Sequence, residues 1–210
     1  MQVIMIGVFG GSFDPVHIGH LRSALEVQLL TGCRQIRFVP SREPPHRSGP
    51  VVSAEHRVEM LRIAISGHPE WVIDNRELHR SGPSYTITTL ESLRSEMTDK
   101  FCLLVGSDAF VHFESWHRYR DILSLAHVLV MVRPGSTFSE WIKGHEFRER
   151  LTENVTELKD HPAGKIHVCE VTALDISSSK IRRCLGKGWS CEYLMPAEEI
   201  DFINRNKLYT

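Results

Sequence analysis

Short apolar runs alternate with amphipathic stretches along the chain, and the apolar runs predict the strands of a sheet. The first run, Val3–Phe9, is continuously apolar, which is typical of a parallel strand buried on both faces. We expect Gly10 and Gly11 to end it. The further runs that predict strands are Gln35–Pro40, Trp71–Ile73, Phe101–Val105 (ended by Gly106), His127–Val132 and Ile166–Val171.

The amphipathic stretches predict helices between these strands. Leu21, Leu25 and Leu29 recur at four-residue spacing and indicate a buried face on the first helix. Ser53 is placed to cap the second helix, and Pro196 should lie in the first turn of the last. The residues from Pro134 to Gly164 form an irregular, charged stretch. The predicted helices cover Ile18–Leu30, Ser53–Ser66, Thr86–Met97, Tyr119–Leu125, Ser177–Leu185 and Pro196–Asn204.

This alternation of strands and helices predicts a doubly wound, Rossmann-like α/β fold with a mainly parallel sheet. We expect a single domain over residues 1–210, with a C-terminal helical part over about 177–210. In such folds the ligand binds beyond the carboxyl ends of the strands, where the winding direction reverses. The turn after the first strand is therefore the expected functional site.

Composition narrows the class of protein. A hydrophobic fraction of 41% and a charged fraction of 24% are typical of a globular chain and exclude a disordered or collagen-like one. Lys and Arg number 25 against 26 acidic residues, which argues against a protein that coats nucleic acid by bulk positive charge. The five cysteines form no CxxC pair and indicate reduced thiols. Without a visible signal peptide or membrane span, the expectation is a soluble cytoplasmic protein with no membrane partner.

The first turn carries the strongest chemical signal. Gly10 and Gly11 let the backbone approach a ligand, and the following helix directs its N-terminal N–H groups toward the same place. His17 and His20 lie three residues apart, on one face of the first helical turn, where both can donate to phosphate oxygens. A nearby phosphate would favour their protonated forms. The alternatives are a plain turn or a metal site, but no third metal ligand has suitable spacing, and we expect none.

A second candidate anion site follows the last predicted strand. Ile176–Arg182 has the sequence ISSSKIR and opens a helix. Its hydroxyls could simply cap that helix. Alternatively, Arg182, one turn on, faces the same anion as the exposed N–H groups, while Lys180 is either a further cation or solvated.

Together these segments resemble a known family. His17-Ile18-Gly19-His20 resembles the HxGH signature of the nucleotidyltransferase superfamily, and the second site is similar to its ISSTxIR motif, with Ser179 in place of Thr. Over nearly the whole chain the order and spacing resemble bacterial nicotinate-nucleotide adenylyltransferases. That narrower resemblance adds three segments: Pro44-Pro45-His46-Arg47, Pro83-Ser84-Tyr85-Thr86, and Gly106-Ser107-Asp108 through Trp116.

The resemblance implies a reaction: transfer of AMP from ATP to nicotinate mononucleotide, giving deamido-NAD and pyrophosphate. It implies Mg²⁺ that arrives with ATP rather than in a protein cage. The site residues that it implies are His17, His20 and Arg182 for catalysis; Gly10, Gly11, Ser12, Phe13, Gly106, Asp108 and Ser179 for ATP and its phosphates; and Tyr85, Thr86, Trp116 and His117 for the nicotinate.

Several of these assignments have plainer alternatives. Trp116, expected to stack on the pyridine, could be a core aromatic, and Asp108, suited to a ribose hydroxyl, could cap the following segment. His117 stands where the family often has Tyr, so a contact through its backbone N–H would survive the change and a side-chain contact would not. His46 and Arg47 either close over the substrate or are solvated.

Three competing functions follow. A close rival enzyme would use nicotinamide mononucleotide or another phosphate acceptor. A nucleotide-binding regulator would keep the site without turnover, although the retained His17, His20 and Arg182 speak against it. A nucleic-acid-binding module is disfavoured by the charge balance. No feature of the sequence indicates an oligomeric state.

Overall fold

In the computed structural model, which describes residues 4–44 and 49–210, the strands form one six-stranded parallel sheet. The sheet order is β3-β2-β1-β4-β5-β6, so the winding direction reverses between β1 and β4. This arrangement confirms the predicted doubly wound α/β fold. The strands are β1 (Met5–Gly11), β2 (Gln35–Pro40), β3 (Trp71–Ile73), β4 (Lys100–Gly106), β5 (Ala126–Val132) and β6 (Ile166–Glu170).

Helices cover both faces of this sheet. Short 3₁₀ helices add Asn75–Glu77, Phe113–Ser115 and Glu146–Arg150. No helix of residues 4–44 or 49–210 is long and apolar enough to cross a membrane. The α-helices are α1 (Ile18–Thr31), α2 (Ala54–Ile65), α3 (Thr86–Glu96), α4 (Ser107–Phe110), α5 (Tyr119–Leu125), α6 (Phe138–Lys143), α7 (Thr156–Asp160), α8 (Ser178–Leu185) and α9 (Ala197–Arg205).

The core consists of two apolar layers, one on each face of the sheet. Successive strand residues alternate between the layers, because side chains point to opposite faces of a strand. In β4, Cys102 and Leu104 pack into one layer, whereas Phe101 and Leu103 pack into the other. All seven residues of β5 are buried, which explains why its sequence is apolar at every position except His127.

The glycines do not end the strands where the sequence predicted. Gly10 and Gly11 remain in β1 and align with Val39 and Pro40 of β2. Gly106 likewise remains in β4. The backbone ladder of a parallel sheet needs no side chain, so these glycines extend the strands and bring bare backbone to the sheet's carboxyl edge.

The predicted buried face of α1 is wrong at its far end. Leu29 is 73% exposed, and the buried residues are Ala24, Val27 and Thr31. A spacing of four residues advances slightly more than one helical turn. The stripe that begins at Leu21 therefore rotates away from the sheet before it reaches Leu29.

Two other predictions need correction. The stretch from Pro134 to Gly164 contains α6, α7 and a 3₁₀ helix, and it buries Phe138, Ile142 and Phe147 in the core. These elements are too short to give a helical period in the sequence. Pro196 occupies the N-cap of α9 rather than its first turn.

Candidate active site

A cleft of about 1150 Å³ lies at the carboxyl ends of the strands, at the reversal of winding. Segments from across the chain line it, including the turn after β1, the start of α3, the region after β4 and the start of α8. Of the predicted site residues, His46 and Arg47 lie outside the described part of the chain. The structure brings all the others to this cleft: Gly10, Gly11, Ser12, Phe13, His17, His20, Tyr85, Thr86, Gly106, Asp108, Trp116, His117, Ser179 and Arg182.

The turn after β1 presents backbone to the cleft. A side chain added at Gly10 would meet no atom within 4 Å, so the glycine leaves open space there. Phe13 adopts a left-handed backbone with φ of 47° and is only 2% exposed. Its ring packs against Phe9, Phe38 and His20, with centroid separations of 5.3 to 5.7 Å. Phe13 therefore offers a ligand its main chain, while its ring belongs to the core.

The sequence predicted that His17 lies on the first helical turn. In the structure it precedes that turn, as the N-cap of α1. Its backbone is extended, and its Nδ1 accepts a hydrogen bond of 3.4 Å from the backbone N–H of His20. An Nδ1 that accepts must be unprotonated, which leaves Nε2 as the donor of a neutral ring. The two imidazoles stack with their centroids 3.7 Å apart.

Burial keeps both imidazoles neutral in the free protein. It lowers the pKa of His17 to about 4. Burial also lowers the pKa of His20 well below its ordinary value, and the nearby His17 lowers it further. Within the described residues, His20 Nδ1 is buried without a hydrogen-bond partner. A buried polar atom beside a cleft is a natural contact for a ligand.

The start of α8 is attached to the turn after β1. Ser178 Oγ donates to the main-chain oxygen of Pro15 at 2.8 Å. Arg182 Nη1 donates to the main-chain oxygen of Asp14 at 2.6 Å, and Nη2 donates to Ser179 Oγ at 3.3 Å. Two segments that are distant in sequence thus form one wall of the cleft, with a guanidinium on it.

Ser177 and Lys180 each have a partner within the protein. Ser177 is the N-cap of α8, and its side chain accepts from the backbone N–H of Lys180. Lys180 Nζ pairs with the exposed carboxylate of Asp175 at 3.1 Å. Of the two basic residues in the motif, Arg182 is therefore the one directed to the cleft.

The start of α3 and the segment after β4 face each other across another part of the cleft. Tyr85 is the N-cap residue of α3, and its side chain makes no capping hydrogen bond. The first-turn N–H groups, beginning at Thr86, are therefore open to a ligand. The rings of Tyr85 and the exposed His117 lie 4.4 Å apart, and the half-buried Trp116 packs against Phe113 at 5.4 Å.

Asp108 folds back over the end of β4. A Cβ on Gly106 would lie 2.6 Å from Asp108 Oδ1, so the observed position of this carboxylate requires glycine at 106. Among the described residues, no group of three or more His, Cys, Asp or Glu side chains could hold a metal ion.

This chain is similar in sequence to a known family of proteins. Residues 8–184 match the model of the cytidylyltransferase-like family. A probable nicotinate-nucleotide adenylyltransferase from Methylococcus capsulatus is 46% identical over 98% of this chain and 99% of its own. Another from Dechloromonas aromatica is 42% identical over 97% of both chains. The chain belongs to the nicotinate-nucleotide adenylyltransferase family.

Solved structures of other proteins have the same fold as this chain. The nicotinic acid mononucleotide adenylyltransferase of Plasmodium falciparum, complexed with NaAD, superposes with a TM-score of 0.72. It is 22% identical and covers 98% of this chain and 97% of its own. A putative nicotinate-nucleotide adenylyltransferase from Vibrio parahaemolyticus gives a TM-score of 0.66 at 15% identity, covering 99% and 96% of the two chains. At these identities the structures establish the fold.

Sequence reasoning missed the roles of three polar residues behind the site of this nicotinate-nucleotide adenylyltransferase: the buried Arg57 and Asp14 and the half-buried Tyr209. Arg57 Nη1 donates to the main-chain oxygens of Ser12 and Ser41, at 2.7 and 2.8 Å, and so joins the turns after β1 and β2. The one available signal was a charged residue one turn before Leu61 on an apolar helix face. The contact between Asp14 and Tyr209, 2.7 Å from carboxylate to hydroxyl, has no sequence signal at all.

Proposed function

We propose that this protein transfers AMP from ATP to nicotinate mononucleotide, forming deamido-NAD (nicotinate adenine dinucleotide) and pyrophosphate. The observation that carries the proposal is the junction between the two motif segments. Arg182 reaches the backbone of Asp14, 168 residues away, so the guanidinium and the paired imidazoles line one cleft. The full-length similarity to curated nicotinate-nucleotide adenylyltransferases supplies the substrate class.

The chemical step is an in-line displacement at the α-phosphorus of ATP. A phosphate oxygen of nicotinate mononucleotide forms the new P–O bond as the bond to the β-phosphate breaks, and the electron pair leaves with pyrophosphate. No covalent enzyme intermediate is needed. The protein's contribution is to position the two phosphates and to stabilise the charge that develops between them.

The two motif segments divide this work. Arg182 and Ser179 would hold the β- and γ-phosphates of the leaving group, since a guanidinium matches phosphate oxygens with paired donors. His17 and His20 would donate hydrogen bonds to the phosphate oxygens next to the reacting phosphorus. Main-chain N–H groups between Gly10 and Phe13, at the end of β1 and in the turn that follows, would line the path of both phosphates together with the N-terminus of α1.

Neutral imidazoles suit this role. A buried cation would cost several kcal/mol in desolvation before any substrate bound. A neutral ring held by its neighbours donates without that cost, and it can take up positive charge as negative charge grows on the phosphate. The imidazole rings of His17 and His20 stack with their centroids 3.7 Å apart. A positive charge on one ring therefore disfavours a positive charge on the other.

Mg²⁺ fits this site as a companion of ATP. Asp108 is an acidic residue of the cleft, but the described residues form no cluster that could hold a cation by protein ligands alone. Bound to the phosphates and to water, the ion would neutralise charge on the triphosphate.

The nicotinate would be recognised by backbone donors and an aromatic ring. Trp116 would stack on the pyridine, beside Tyr85. The carboxylate would accept hydrogen bonds from the N–H groups of Thr86 and His117, and a contact through the His117 backbone is indifferent to the side chain at that position. A carboxylate needs donors only, whereas an amide needs a donor and an acceptor, so this pocket should prefer the acid.

A side-by-side turnover assay tests the proposal. Purified protein with ATP and Mg²⁺ should release pyrophosphate with nicotinate mononucleotide and much less with nicotinamide mononucleotide. Comparable kcat/KM for the two mononucleotides would contradict the acid preference. Binding of ATP with no turnover on either substrate would identify a regulator instead.

A further inference from the structure

Asp14 lies at the centre of a small hydrogen-bond network behind the phosphate site. Its side chain is 3% exposed, and both carboxylate oxygens have partners. Oδ1 accepts from the hydroxyl of Tyr209 at 2.7 Å, and Oδ2 accepts from the backbone N–H of Val51 at 2.7 Å. The main-chain oxygen of the same residue accepts from Arg182. Asp14 thus connects the segment after α9 with the guanidinium that faces the cleft.

The distances show which contact Arg182 makes and which it does not. Its Nη1 is 2.6 Å from the Asp14 main-chain oxygen but 3.7 Å from Oδ2. Because Tyr209 and Val51 hold the carboxylate, it stays too far from the guanidinium for a close, bidentate ion pair. The remaining N–H groups of Arg182 are then available to a ligand.

The segment around Tyr209 is held in an uncommon conformation. Lys207 and Tyr209 have left-handed backbones, with φ of 51° and 63°, which non-glycine residues rarely adopt. Leu208 between them is buried. The main-chain oxygen of Tyr209 also lies against Gly186, at the end of the helix that carries Arg182. The surrounding contacts thus hold a conformation that the residues would not favour alone.

We propose that Tyr209 is a positioning residue for the phosphate site: its hydroxyl holds the Asp14 carboxylate so that Arg182 is free to bind the leaving pyrophosphate of ATP. This inference rests on the proposed function. Burial and the bond to Asp14 raise the pKa of Tyr209, so the hydroxyl stays protonated and remains a donor at neutral pH. Without it, Oδ1 would be buried and unpaired, and the carboxylate would turn to Arg182 and compete with the phosphates.

Tyr209→Phe removes the hydroxyl and keeps the ring, so it tests the inference directly. We expect the Kd for magnesium pyrophosphate, measured by calorimetry, and the KM for ATP both to rise about 3- to 10-fold. The KM for nicotinate mononucleotide should change by less than about twofold, because that substrate is held elsewhere. Tyr193→Phe is the matched control, since Tyr193 is 92% exposed, and it should leave all three constants unchanged.

Asp14→Asn separates positioning from packing. In its background, Tyr209→Phe should add no further loss of pyrophosphate affinity, since both changes act through one contact. Independent, multiplying losses would overturn the inference. If Asp14→Asn does not fold, the single Tyr209→Phe variant decides: a wild-type pyrophosphate Kd, with or without a lower melting temperature, would overturn it. A wild-type protein that neither binds pyrophosphate nor turns over would overturn the proposed function as well.

Discussion

The two segments that meet at the cleft, the turn after β1 and the start of α8, differ in exposure and in charge. The turn after β1 is mostly buried. His17 is 5% exposed, and the Nδ1 atom of its neighbour His20 is buried. Because burial lowers the pKa of both rings, both are neutral. The start of α8 is more open, with an exposed Ser179 and an Arg182 side chain that is 28% exposed. The permanent charge therefore lies on the more exposed segment, and the neutral donors lie on the more buried one.

This difference indicates a division of work. A partly solvated guanidinium can attract a polyanion and keep its charge at little desolvation cost. Buried neutral donors act little at long range, but their hydrogen bonds strengthen in a low-dielectric site as negative charge develops. Changes in the buried segment should accordingly act on the chemical step, and changes in the open segment on ATP binding.

The largest effect should come from the buried pair. His20→Ala or His17→Ala should lower kcat by about 10²-fold or more, the scale of losing a donor to developing charge. Steady-state kinetics at saturating ATP measures this. Because His17 also caps α1, His17→Asn is the control, since Asn is a good N-cap. It should keep the melting temperature and lose the activity. A loss under about threefold in the alanine variants would refute the assigned role.

The second effect is on stability and follows from the low pKa of His17. Well above pH 6.5 the ring is neutral in both the folded and unfolded states and contributes no pH dependence. As the pH falls, the unfolded chain gains a proton that the folded protein refuses until about pH 4, so stability falls. We expect this ring to cost about 2 kcal/mol between pH 6.5 and about pH 5. Urea unfolding of wild type and His17→Asn measures it; equal slopes with pH would contradict the buried neutral ring.

A smaller effect is expected at the open segment. Arg182→Lys keeps the charge but loses the planar fork that bonds Asp14 and Ser179 together. We expect the KM for ATP to rise by about tenfold, while kcat falls less than in the histidine variants. Initial rates over a range of ATP concentrations separate the two constants. A kcat loss as large as that of His20→Ala would mean that the two segments share one role.

The smallest effect should come from the hydrogen bond that joins the two segments. Ser178→Ala removes the donor to Pro15 and should lower the free energy of unfolding by about 1 kcal/mol. Thermal unfolding measures the loss, and Ser177→Gly, which affects only the N-cap of α8, is a useful comparison. An unchanged melting temperature would mean that Arg182 alone secures the junction.

Periodicity and motif spacing predicted most of the fold and the membership of the cleft. The bounds of β2, β3 and α5 agree with the structure, and both motif segments meet as expected. Periodicity and spacing do not predict features that depend on the backbone angles of one residue or on contacts between residues far apart in the sequence. The N-cap role of His17 depends on an extended backbone at that residue.

The same reason explains why the sequence did not predict the hydrogen-bond network behind the site. Tyr209 meets Asp14 across 195 residues, and nothing local marks either residue for that contact. Arg57 lies on an apolar face, where its charge contradicts the pattern. Such a conflict indicates a special role without saying which main-chain oxygens the guanidinium will reach.

The central claim is that the two segments act on one polyanion, and a double-mutant cycle on kcat/KM for ATP tests it most directly. His20→Ala, Arg182→Ala and the double variant are compared with wild type. If both side chains hold one triphosphate, Arg182→Ala displaces the phosphates that His20 contacts, so the double variant should lose clearly less kcat/KM than the product of the two single losses. Losses that simply multiply would show that the two segments act independently, and would contradict the account.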